Sequence, residues 1–229
     1  MTARPQPISR RERPAKPALT RAGIISSAVR VMRAEGLERV TMRRLAKELD
    51  TGPASLYVYV ANTAELHAAI LDELLGEVDL QSGTAGGDWR ERIEAVLASY
   101  SRLLYQYPSL ARAALVARPS GPNYLNLLEA LLALLSLGGV PDDQAAWGVD
   151  VLLQVATASA AEHAGRDGSP DSEEEWNAVA VAVENASAAE TPHVAALGSE
   201  LLSGTPQMRQ TWGIRMLLNG ILHTPRVTS

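Results

Sequence analysis

The stretch ELDTGPASLYVYV, Glu48 to Val60, sets small residues beside two phenols. Pro53, Ala54 and Ser55 offer almost no bulk, and Tyr57 and Tyr59 follow closely. A helix tip stripped of large side chains can approach base edges in a DNA major groove. Phenolic hydroxyls on its flank can then reach phosphate oxygens. Thr41 and Arg43 stand just upstream. A threonine at a helix N-terminus is a natural phosphate site. An arginine that reaches a base edge most often pairs bidentately with guanine.

Other chemistries lack their residues. There is no Cys, which excludes disulfides, thiolate metal sites and cysteine nucleophiles. His67, His163, His193 and His223 are far apart, and none belongs to an HExxH-type pair. Neither a Gly-rich phosphate loop nor a nucleophile elbow occurs. Glu162 and His163 adjoin, but neighbours on a helix point about 100° apart and share no site. The acids Glu173 to Glu175 suit the first turn of a helix better than a metal site. No catalytic residue, no metal site and no cofactor are therefore expected.

The elements that must position the Thr41–Tyr59 residues are helices. The chain has 229 residues, 46% of them hydrophobic, enough for one or two domains with a real core. Phe is absent and aromatics are 4%, so Leu, Ala and Val build that core, and Ala and Leu favour helices. Thr20 is a candidate N-cap for a helix whose stripe is Ile24, Ile25, Ala28, Val31 and Met32, stopped by Gly36. Thr41 caps a second helix carrying Met42, Leu45, Ala46 and Leu49. After the turn at Asp50–Gly52, Pro53 suits the first position of a third helix. Leu56 and Val60 face inward from it, and a fourth helix is expected from about Thr63 to Asp79. Residues 81–87 look like a flexible joint. Beyond it, Asp88 opens a helix that Pro108 ends. Shorter helices are expected near 109–117 and 123–137, a long one from Pro141 to about His163, one from Ser172, and a last one from about Pro206 to Leu222. Strand patterns are not convincing anywhere.

Charge is unevenly spread. Residues 1–50 hold 12 Lys+Arg against 5 Asp+Glu, and the remainder holds 9 against 21. A basic end on an acidic body suits contact of that end with a polyanion. Residues 1–18, with four prolines, are expected to be a basic flexible arm. No apolar run reaches the roughly 18 residues of a membrane span, and the N-terminus lacks a secretory apolar region. The expected location is the cytoplasm, with no membrane partner.

Residues 19–79 resemble the DNA-binding domain of the tetracycline-repressor (TetR) family of bacterial regulators. The resemblance is carried by LTRAGIISSAVRVMRAEGLERVTMRRLAKELDTGPASLYVYVANTAEL, with its G-x-x-x-x-T-x-R-x-L-A-x-x-L run followed by LYxYV and Asn-x-x-x-Leu. It implies an all-α fold: an N-terminal three-helix helix-turn-helix domain and, over residues 80–229, a helical ligand-binding and dimerisation domain. It implies DNA contacts from Thr41, Arg43, Pro53, Ala54, Ser55, Tyr57 and Tyr59. Two departures stand out. Asp50 replaces the usual turn glycine, and Asp tolerates a left-handed backbone. Thr63 replaces a usual lysine, which removes one phosphate clamp.

The stretch RQTWGIRMLLNGIL, residues 209–222, resembles the family's last helix more loosely. By that resemblance the long late helix and the last helix pair with their copies in a homodimer. Trp147, Trp212 and Leu217 are candidate anchors, and an Ala-rich face over 145–160 would allow close approach. Such a dimer reads a palindromic operator in double-stranded DNA. Family members commonly bind a small-molecule effector among the central helices. Tyr100, Tyr105, Tyr124, Asn126, Gln154 and His163 are candidate polar groups for it. Asp79 stands where the tetracycline repressor has its first pocket histidine, so neither tetracycline nor magnesium is expected. The resulting expectation is a repressor whose effector tilts the fourth helix and changes the spacing of the two DNA-binding heads. Alternatives are a regulator controlled by a protein partner without effector, and a helical enzyme with a DNA-binding head.

Overall fold

The computed structural model describes residues 18–81, 87–116, 119–166 and 172–226. All regular elements among them are helical. The first group is α1 (Arg21–Glu35), a 3₁₀ turn (Leu37–Arg39), α2 (Met42–Glu48), α3 (Pro53–Leu56) and α4 (Thr63–Leu75). The second is α5 (Trp89–Gln106), α6 (Pro108–Ala114), α7 (Pro122–Leu137), α8 (Asp142–Arg166), α9 (Ser172–Glu184), α10 (Pro192–Leu202) and α11 (Pro206–His223). We call α1–α3 the head and α5–α11 the body, with α4 packed against both.

Local chemistry sets the helix starts. Thr20, Thr41, Asn62 and Thr205 each accept a backbone N–H of the turn they cap. Asp88 does the same for α5, accepting from Arg90 N at 3.1 Å. Pro opens α3, α6, α7, α10 and α11, where its missing N–H costs nothing. The head core is Ile24, Ala28, Leu45, Leu56 and Val60, all essentially buried. In the body α8 runs through the middle, packed on α5, α6, α7 and α11.

Several expectations need correction. The fourth helix ends at Leu75, followed by turns rather than helix to Asp79. The alanines of α8 divide between two faces. Ala145, Ala156 and Ala160 are buried and let α8 approach its own neighbours closely, while Ala146 and Ala158 are exposed. Gly148 extends this closeness to α11, since a Cβ there would lie 2.6 Å from Ile221 Cγ2. The long helix continues past His163 to Arg166. Helix α10 was not anticipated. Its stripe of Val194, Leu197 and Leu201 is short, and none of its residues is buried within the chain. The expected joint at 81–87 and the arm at 1–18 fall mostly on residues 82–86 and 1–17, outside the described residues.

Candidate DNA interface and ligand cavity

The turn between α2 and α3 is fixed by backbone geometry. Asp50 has φ +48°. Thr51 N–H donates to Ala46 O at 2.8 Å and Asp50 N–H to Lys47 O at 3.2 Å. This pair of bonds closes α2 in a Schellman motif, with aspartate in the left-handed position usually held by glycine. Helix α3 is a single turn, prolonged by turns through Tyr59. Leu56 and Val60 are fully buried and anchor it to the head.

That anchoring decides what faces outward. Pro53, Ala54 and Ser55 are exposed at the tip of α3. Tyr57 is 53% exposed. Tyr59 is only half-buried and packs against the core, so its ring serves packing as well as any contact. Arg43 is exposed on α2. Thr41 spends its hydroxyl oxygen on Arg44 N at 3.1 Å while remaining exposed.

Arg44, beside Arg43, has a different task. Its guanidinium binds Glu35 at 2.6 Å and Glu48 at 2.8 Å, tying the end of α1 to α2. The hydrogen bond from Arg44 holds the Glu35 carboxyl below its usual range, and the two carboxylates raise the arginine in turn. Sequence reading missed this brace. The signal was present in part, because Glu48 lies one turn after Arg44.

Helix α4 meets the head through Arg21–Glu65 and Arg33–Glu77, the latter just past its end. It meets the body through Asp72. Helix α7 begins after Gly121, which has no side chain to cap it. Asp72 Oδ1 supplies the missing acceptor, taking Tyr124 N–H at 2.9 Å. Gly121 is required for that approach, since a Cβ there would sit 2.1 Å from Asp72 Oδ2. A second tie runs from Ser109 Oγ on α6 to Glu38 in the 3₁₀ turn, at 2.5 Å. It holds the Glu38 carboxyl below its usual range.

A cavity of about 460 Å³ lies where α4, α5, α6, α7 and α8 converge. Leu71, Leu75, Leu115 and Leu153 give it apolar walls, and Tyr100, Tyr124, Gln154 and Asp150 give it polar groups. Tyr100 OH contacts Thr157 Oγ1 at 2.6 Å, and burial pushes its pKa up. Of the six expected polar residues the cavity gathers Tyr100, Tyr124 and Gln154. The other three do not line it. Tyr105 and His163 pack on each other, ring centroids 5.2 Å apart, and Asn126 is exposed. Asp79 is also absent from its walls, and its carboxylate accepts from Gln81 N at 2.9 Å. Asp150 and Thr157 went unnoticed in the sequence, because nothing local says that they share a cavity.

Comparison with known proteins decides the family. Residues 24–70 match the model for bacterial regulatory proteins of the tetR family, and residues 83–224 that for the tetracyclin repressor-like C-terminal domain. The chain belongs to the TetR family. A candidate transcription regulator of Streptomyces coelicolor, SCO7704, is 55% identical with a TM-score of 0.78, covering 93% of this chain and 100% of its own. The TetR family protein ActR of Streptomyces coelicolor, in complex with actinorhodin, is 32% identical with a TM-score of 0.78, over 90% of this chain and 96% of its own. The HTH-type transcriptional repressor DrrR1 of Streptomyces coeruleorubidus is 33% identical over 129 residues, 56% of this chain and 48% of DrrR1. The chain thus spans about half the length of the curated relatives it matches first. As a TetR-family member, the chain carries its tetR-type match over α1 to α4, the part that presents Arg43 and the α3 tip.

Of the expected dimer anchors, Trp147 on α8 and Trp212 on α11 are 58% and 68% exposed, while Leu217 packs partly against the core. The guanidinium of Arg226 lies over the Trp147 ring at 4.1 Å.

Proposed function

We propose that the chain is a homodimeric transcriptional repressor that binds a palindromic operator and is released by a small-molecule effector. The observation that carries this reading is Asp72. It joins α4, which packs on the head, to the N-H of Tyr124, whose residue lines the cavity. Leu71 and Leu75 of α4 border the same cavity. An occupant pressing on these walls would bear directly on α4. The head would then favour one orientation, provided that the occupant binds one state more tightly than the other.

DNA contact is assigned to Arg43, Thr41, the α3 residues Pro53, Ala54 and Ser55, and Tyr57 just past the end of α3, with Tyr59 as support. Two apolar stripes at four-residue spacing, Trp147–Val151–Val155 on α8 and Met208–Trp212–Met216 on α11, favour pairing with a second copy. The neighbouring helices are packed together, so the stripes can form one four-helix interface in the dimer. The similar DrrR1 is a repressor and the similar ActR binds actinorhodin, which supports the same class of role here. The site of action is the cytoplasm, where the operator is. We assign residues 19–79 to DNA binding and 80–229 to effector binding and dimerisation.

The test is selection of bound fragments from the source genome by the purified protein, followed by salt titration on the best fragment. A palindromic site whose affinity falls steeply with salt is expected. Weak binding indifferent to sequence would defeat the reading.

A further inference from the structure

The cavity carries an acidic group and, among the described residues, no basic one, while Gln154 and Tyr124 can donate as well as accept. Thr157 lies on α8 and its hydroxyl donates to Leu153 O at 2.7 Å. A hydroxyl has one proton to give. At the 2.6 Å contact between Tyr100 and Thr157 the phenol must therefore be the donor. Its proton is turned onto α8, and the lone pairs of the phenolic oxygen remain. Asp150, also on the cavity wall, is exposed, and its carboxylate has neither hydrogen bond nor ion pair among the described residues. An ionised carboxylate only accepts. No Lys, Arg or His lines the cavity among the described residues. The wider field has the same sign, since residues 51–229 hold 9 Lys+Arg against 21 Asp+Glu.

We propose that the effector is an organic cation: an ammonium or similar N–H-bearing group on a largely apolar, ring-containing body. This rests on reading the cavity as the effector site. The cationic end would lie between Asp150 and the Tyr100 oxygen, donating to both. Leu71, Leu75 and Leu153 would receive the apolar body. A carboxylate or phosphate of the same size would lose its water and, among the described residues, meet no basic partner on the wall, only neutral donors such as Gln154.

The test uses two fluorescent dyes of similar size and opposite charge, without DNA, at physiological ionic strength. Ethidium is a cation with N–H donors, and anilinonaphthalene sulfonate is an anion. The full-length protein should bind ethidium saturably and about ten-fold more tightly than the sulfonate. Asp150→Asn, at an exposed position where the shape is kept, should weaken ethidium about 3–10-fold and leave the sulfonate no weaker. Leu115→Trp, which fills the cavity from its wall, should weaken both. Equal binding of the dyes with no effect of Asp150→Asn, while Leu115→Trp still abolishes binding, would overturn the cation assignment and keep the cavity. Ethidium binding that is absent, or unchanged by Leu115→Trp, would overturn the cavity reading and the proposal with it.

Discussion

Adjacent arginines on α2 are separated by what their neighbours allow. Arg44 is committed to Glu35 and Glu48, whereas Arg43 faces solvent. Arg43→Ala should cost about 1–3 kcal/mol in operator binding and relax preference at one base position. Arg44→Ala should weaken binding to all sequences alike, because it loosens α2 against α1. Competition binding to a library of singly substituted operators separates the two, and a shared specificity profile for both variants would reject this division. His67 on α4 gives a residue-scale effect of pH. It is half-buried, and burial lowers its pKa from the ordinary 6.5. As pH falls, the unfolded chain takes up this proton first. Stability from neutral His67 is complete above about 6.5 and is lost as pH falls through the lowered folded value. Thermal unfolding of His67→Gln should therefore be less sensitive than the parent to a fall from about pH 7.5 to about 5.5. Identical slopes would mean that His67 carries none of the dependence.

At the level of elements, the junction between α4 and α7 is the point to disturb. Helix α7 takes its N-terminal acceptor from Asp72, 52 residues away in sequence. Asp72→Ala should cost about 1 kcal/mol, the usual worth of an N-cap. It should also speed exchange of the Tyr124 amide hydrogen, whereas Asp72→Asn keeps an acceptor oxygen and stays near the parent. Gly121→Ala should resemble Asp72→Ala, because its methyl would displace the same carboxylate. Unchanged Tyr124 exchange in Asp72→Ala would show that α7 is capped by other means.

For the whole molecule, the proposed dimer rests on the exposed stripes of α8 and α11. Trp212→Arg places a charge in the centre of the proposed interface, with little cost to the folded monomer because Trp212 is 68% exposed. Sedimentation should then give a monomer. Operator affinity should fall by about 10²-fold or more, since the second half-site loses its tethered partner. A dimer of undiminished affinity would place the interface elsewhere. Helices α9 and α10 pack mainly on each other, and Leu197 and Leu201 of α10 are exposed, so this hairpin presents a further apolar surface.

What the sequence determined by itself was local. Caps at Thr20, Thr41 and Asn62, proline at the start of α3, a turn-tolerant Asp50 and apolar residues three and four apart each act within a few residues. They were enough to specify the helical class, the helix-turn-helix unit and the outward Arg43. The helix ends that lacked such signals, those of α4, α6 and α8, were misjudged by three or four residues, about a turn. Tertiary structure alone decided which polar groups meet. Tyr100, Tyr124 and Gln154 share a cavity, while Tyr105 and His163 use up each other's rings and Asn126 faces solvent. All six sit on amphipathic helices with similar local patterns. Their convergence depends on how helices cross, set by close contacts such as Gly148 on Ile221 and Gly121 on Asp72, which no short-range pattern encodes.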